Sequence, residues 1–213
     1  SPVIIQASRG ARNYANDIVL AKLIDALAEL YPHIPVCMHQ DHGNGPATCA
    51  TAIQYGFTSV MMDGSLEEDA KTPASYEYNV DVTRRVVQMA HSCGVSVEGE
   101  LGTLGGIEDG VGSGKTHLTD PDQAVEFVER TGVDALAISI GTSHGAFKFK
   151  GEPKISFEVI KRCRELLPNT ALVAHGSSSV PVELIEEINR YGGKLEHAKG
   201  VPIEVLQQAI AYG

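Results

Sequence analysis

PVCMHQDHG, residues 35–43, sets a short apolar run directly against two histidines, an aspartate and a glycine. A run of this length that turns polar only at its end reads as a buried strand leaving a sheet. Similar runs recur as VIIQA at 3–7, TSVMM at 58–62, VSVEG at 95–99, DALAISI at 134–140 and TALVA at 170–174. Several are apolar at successive positions, as expected where both faces of a sheet are covered, and they predict parallel α/β packing.

Amphipathic segments at 17–30, 78–91, 121–132, 155–168 and 180–192 predict helices, with a shorter one expected over 46–55. Thr119 or Asp120 can cap the third, Pro121 fits its first turn and Gly132 can end it. Ser179, Pro181 and Gly192 repeat the device in the fifth. Six strand-plus-helix units result, and no proline-rich or low-complexity linker divides them, so one domain over residues 1–213 is expected. Closed eight-stranded barrels usually need about 250 residues, so an open doubly wound sheet also fits this pattern. The chain starts inside a strand at SPVIIQA and stops after a helix at AIAYG, which suggests an excerpt of a longer barrel.

The formal charge of -10 argues against indiscriminate binding to nucleic acid or to an anionic membrane. It leaves an anionic small substrate open, because backbone N–H groups can cradle phosphate inside an acidic protein. No apolar stretch is long enough to cross a bilayer, and no secretory leader is visible. Cys37, Cys49, Cys93 and Cys163 show no paired metal spacing and are expected as buried thiols in a reducing compartment.

Chemistry gathers at the strand exits. The second strand leaves through HQDHG, the fourth through EGELG, the fifth through GTSHG and the sixth through AHGSSS. In a parallel sheet these exits share the carboxyl edge, so His42, Glu100, His144 and His175 can converge. Three imidazoles and a carboxylate suit zinc better than magnesium, while cobalt, iron and manganese stay compatible with the ligand types. Strict alternation puts His39 and Asp41 on one face and Gln40 and His42 on the other. His39 then reads as a structural hydrogen-bonding residue, and Asp41 as a proton carrier or as the group that orients an imidazole. Glu98, two residues before Glu100, is open to a supporting or metal-exchange position or to structural hydrogen bonding. GTSHG at 141–145 and HGSSS at 175–179 can offer backbone N–H groups and hydroxyls to a phosphate. The glycine-rich stretch 99–116 reads as an active-site loop, with Glu108 as a candidate base.

Together HQDHG, EGELG, GTSHG and HGSSSVP resemble the class II, metal-dependent fructose-1,6-bisphosphate aldolase family, in the subgroup that includes tagatose-bisphosphate aldolases. The resemblance continues through SVMMDGSLEEDAKTP, EDGVG and LTDP. It implies a TIM (β/α)8 barrel, here without the first and last strands. It also implies Zn2+ held by His42, His144 and His175, with Glu100 at the same or an alternate metal position. Asp41 matches the family's catalytic aspartate and Glu108 its loop glutamate, while Gly141, Ser143, Gly176 and Ser178 match the region for substrate phosphate and a monovalent cation, Na+ or K+. The implied reaction is reversible cleavage of a ketose bisphosphate, fructose or alternatively tagatose 1,6-bisphosphate, to dihydroxyacetone phosphate and glyceraldehyde 3-phosphate. The family setting is cytoplasmic sugar-phosphate metabolism, including glycolysis, gluconeogenesis and the Calvin cycle, in a homodimer or homotetramer. Against the family pattern, Gln40 replaces an apolar or small residue, the loop after Glu100 is shorter, and both outer strands are missing. A metal-binding fragment without turnover is the alternative these departures raise.

Overall fold

The computed structural model describes residues 1–102, 105–106, 117–144, 155–179, 181–195 and 200–213. Its strands are β1 (Val3–Ser8), β2 (Val36–Gly43), β3 (Ser59–Met62), β4 (Ser96–Leu101), β5 (Gly105–Gly106), β6 (Ala135–Ile138), β7 (Ser143–His144) and β8 (Ala171–Val173). The helices are α1 (Arg9–Ala15), α2 (Asp17–Leu30), α3 (Pro46–Gln54), α4 (Tyr76–Ser92), α5 (Pro121–Thr131), α6 (Phe157–Leu166), α7 (Val182–Arg190) and α8 (Ile203–Tyr212). Six strands form a sheet in the order β1-β2-β3-β4-β6-β8, and β5 pairs separately with β7. Each predicted apolar run supplies one of the six. By contact the chain divides into two compact units, residues 1–100 with 127–136, and residues 101–126 with 137–213.

In the first unit β1 through β4 pair in parallel, with Val3 opposite Val36, His39 opposite Ser59 and Ser59 opposite Ser96. All four residues of β3, SVMM, are buried, the outcome expected for a strand covered on both faces. α3 contributes Cys49 and Ala52 to this core, and α4 contributes Val80, Val86, Val87 and Ala90. The register between β2 and β3 slips once: Gln40 pairs with Val60 but Gly43 pairs with Met62, so β2 carries one extra residue. That β-bulge falls on Asp41 and His42, and His42 takes a left-handed φ of 48°. Gly43 follows where a side chain has no room, because a Cβ would lie 2.5 Å from the Met61 carbonyl oxygen and 2.8 Å from Cys49 Sγ.

In the second unit Asp120 caps α5, its Oδ1 accepting from the N–H groups of Asp122 at 2.9 Å and Gln123 at 3.2 Å. Thr119 instead bridges two strand ends, its hydroxyl donating to the Leu101 carbonyl at 2.5 Å and accepting from the Ser139 N–H at 2.7 Å. The residue before α7 is Pro181 rather than Ser179, with no side-chain capping bond. An apolar cavity of about 280 Å³ opens among Ile138, Ile140, Ile160, Leu172, Leu206 and Ile210. Among the described residues no helix is long and apolar enough to cross a membrane. Cys49 and Cys163 are buried as expected, whereas Cys93 is exposed at the end of α4 and Cys37 is half-buried; all four are free thiols.

Candidate metal centre

The bulge in β2 decides which side chains meet. Strict alternation would put His42 opposite the face shared by His39 and Asp41. The extra residue and the left-handed backbone instead bring it round to the carboxylates of β4. His42 Nδ1 lies 3.7 Å from Glu100 Oε2 and within hydrogen-bond distance, 3.0 Å, of Asp63 Oδ2. Its Nε2 lies 3.9 Å from Asp41 Oδ1. His42, Asp63 and Glu100 are all buried, and their ligand atoms lie within 4.8 Å of one another.

Asp63 is the functional residue that the sequence reading passed over. It is the first residue beyond β3, so the strand-exit rule that selects His42 and Glu100 also selects it. Its second oxygen, Oδ1, accepts from the Ser65 hydroxyl at 2.6 Å and the Ser65 N–H at 3.2 Å, which fixes the carboxylate plane.

Burial by itself lowers the affinity of His42 for a proton. The hydrogen bond to Asp63 and the charges of Glu100, Asp63 and Asp41 together outweigh it, and the imidazole is raised to about 10. Three carboxylates around one imidazole call for more positive charge than a single proton supplies. This donor set fits a divalent ion that accepts nitrogen and oxygen, and zinc is such an ion. With Asp63 on Nδ1, an ion bound by His42 would meet Nε2, the carboxylate–histidine arrangement common beside zinc.

One layer deeper, His39 is structural as expected. Its Nδ1 lies 2.8 Å from Ser59 Oγ and its Nε2 lies 3.5 Å from Glu98 Oε2, so one buried group links β2, β3 and β4. Glu98 therefore supports this lower layer.

In the second unit, buried His175 ends the segment after β8, and its carbonyl accepts from the Thr142 hydroxyl at 2.6 Å. That bond ties GTSHG to HGSSS, the two stretches read as phosphate cradles. Gly141 and Gly176 have φ of 98° and 66°, so both turns use backbone conformations that a side chain would strain. Ser178 is exposed. The backbone of Ser143 and His144 forms β7, paired with Gly105 and Gly106. Glu108 lies outside the described residues.

A strand-exit cluster of histidine and carboxylates on a parallel α/β sheet is the kind of site that metal-binding α/β proteins carry. The family model for class-II fructose-bisphosphate aldolase matches residues 1–212, and the chain belongs to this family. It is 60% identical over its whole length to fructose-bisphosphate aldolase 2 of Cereibacter sphaeroides and 59% identical to the fructose-bisphosphate aldolase of Nostoc commune. It spans 64% of each of these relatives. Among solved structures, the YdjI aldolase of Escherichia coli K12 aligns with a TM-score of 0.68 at 32% identity, over 99% of this chain and 70% of that one. The six-stranded sheet is thus part of a TIM-barrel aldolase fold, as the sequence motifs imply.

Proposed function

We propose that this protein carries out reversible aldol cleavage of fructose 1,6-bisphosphate to dihydroxyacetone phosphate and glyceraldehyde 3-phosphate. The observation that carries the reading is the buried His42–Asp63–Glu100 cluster at the exits of β2, β3 and β4. In the proposed site His42, His144 and His175 hold zinc, and Glu100, on the Nδ1 side of His42, serves an alternate position of the ion. Zinc, when bound, supplies the positive charge that polarises the ketose carbonyl. Asp41 accepts the C4 hydroxyl proton during cleavage and returns it during condensation, and Glu108 exchanges the proton on the three-carbon fragment. Asp63 holds the proton of His42 on Nδ1. Gly141, Ser143, Gly176 and Ser178 receive phosphate and a monovalent cation, a role supported by the bond that joins their two loops. The family match over residues 1–212 supports treating the chain as one aldolase-like domain, working in the cytoplasm as a homodimer or homotetramer.

Zinc content measured together with turnover on fructose and tagatose 1,6-bisphosphates tests this reading. His144→Ala is expected to lose metal and activity together. Asp41→Ala should keep most of its metal and lose C–C cleavage. Bound zinc without turnover of either sugar refutes the reaction, and faster turnover of tagatose 1,6-bisphosphate reassigns the substrate.

A further inference from the structure

Arg12 lies on α1, outside every role assigned above, and only 4% of it is exposed. A buried guanidinium is tolerated only when its donors are paired. Here Nε donates to Asp17 Oδ1 at 2.5 Å, Nη2 to Thr51 Oγ1 at 3.0 Å, and Nη1 to the Thr48 carbonyl at 3.1 Å. Nη1 also donates to Gln40 Oε1, and the guanidinium carbon lies 5.4 Å from the centre of the Phe57 ring.

Gln40 passes this anchorage on. Arginine has only donors, so Gln40 must turn its oxygen toward Arg12, which leaves its NH2 group for another acceptor. That acceptor is the Asp41 carbonyl, 2.6 Å from Gln40 Nε2. The N–H of the same peptide, on His42, donates to Met61 Sδ at 3.4 Å. The peptide joining Asp41 to His42 is therefore gripped on both edges. It lies in the bulge, directly before the left-handed φ of His42. A non-glycine residue keeps such a backbone only where its surroundings fix it.

We infer that Arg12, acting through Gln40, is a positioning residue that sets the Asp41–His42 peptide and so aims both the carboxylate and the imidazole. The inference rests on the roles proposed for Asp41 and His42. Only a side chain with both an acceptor and a donor can join Arg12 to the Asp41 carbonyl, and glutamine has both.

Gln40→Glu is the sharpest test, because it keeps an acceptor for Arg12 and removes the donor to Asp41. Gln40→Met keeps the volume and removes both. The intact protein is loaded with Co2+, and affinity is read by chelator competition, ligand geometry by the visible cobalt band, and folding by the thermal midpoint of the metal-free form. Gln40→Glu and Gln40→Met are each expected to weaken cobalt binding by about tenfold or more and to shift the band. The metal-free midpoint of at least one of them should stay near that of the parent. Arg12→Lys, which keeps the charge without the planar fork, should act in the same direction, and combining it with Gln40→Glu should add little. Parent-like affinity and band in both Gln40 variants, while His42→Ala abolishes binding, overturns the clamp and leaves the metal site standing. Cobalt binding that His42→Ala leaves unchanged overturns the site itself, and the clamp with it.

Discussion

In the proposed site Asp63 sets which nitrogen of His42 faces the metal, and exchanging it for asparagine should reveal that control. The hydrogen bond to His42 Nδ1, 3.0 Å long and buried, involves a charged acceptor, a type worth about 1.5–3 kcal/mol. At about 1.4 kcal/mol per factor of ten, its loss weakens metal binding roughly tenfold to a hundredfold. The two obvious variants should not be equal. Ser65 donates to Asp63 Oδ1 through its hydroxyl and its N–H, and a backbone N–H cannot reverse its role. In Asp63→Asn these donors keep the amide oxygen at Oδ1, so the NH2 group takes the place of Oδ2 and faces His42 Nδ1. Neutral His42 must then carry its proton on Nε2, the nitrogen meant for the ion. Asp63→Ala imposes no such tautomer. The isosteric asparagine variant should therefore fall near the hundredfold end and the alanine variant nearer tenfold, measured by competition of zinc or cobalt against a chelator. Parent-like affinity in Asp63→Asn, or a larger loss in Asp63→Ala, would refute the tautomer argument.

Gly43→Ala forces a methyl group to within 2.5 Å of the Met61 carbonyl oxygen and should destabilise the fold by about 1–3 kcal/mol. An unchanged urea midpoint would contradict that packing. Burial pushes the thiol of Cys49 up to about 12 and that of Cys163 up to about 11, so at pH 8 a thiol reagent should modify exposed Cys93 readily and these two only after unfolding. Because the folded state keeps those protons where the unfolded state, with thiols near 9.0, has lost them, stability should fall as pH rises from about 9 to 12. Thermal melts of Cys49→Ala, compared with the parent, should show a shallower decline over that range.

The sheet was legible because its signal is local. A strand covered on both faces is nearly continuously apolar, and SVMM in β3 is buried throughout, its one polar residue, Ser59, bonded to His39. α2 was equally plain, its predicted span of 17–30 matching Asp17–Leu30, because its apolar periodicity is long and uninterrupted. α1 gave no such signal: in RGARNYA the buried residue is Arg12, held by hydrogen bonds rather than by an apolar stripe. A periodicity reading has nothing to detect in a helix fixed that way. Ser179 misled for a related reason, since Pro181 starts α7 through its backbone conformation without any side-chain cap. The candidate site divided along the same line. Strand exits placed His42 and Glu100 together, and the same rule held Asp63. The face of His42 was hidden, because a bulge is a property of two strands and leaves no mark in HQDHG alone.

That bulge explains how two similar layers of side chains come to differ in chemistry. β4 presents Glu98 and Glu100 two residues apart on one face, whereas the histidines of β2 that meet them, His39 and His42, are three apart. A regular strand would have offered Asp41 to the outer layer in place of His42. The extra residue restores the match and keeps Asp41 beside the imidazole, 3.9 Å from Nε2, rather than in its place. In the inner layer one histidine meets one carboxylate and one hydroxyl, a set that protein groups alone can balance. In the outer layer His42 meets three carboxylates among the described residues, and that negative charge lies at the carboxyl edge of the sheet. The inner layer therefore holds the strands together, while the outer one has both the donors and the charge to take a cation.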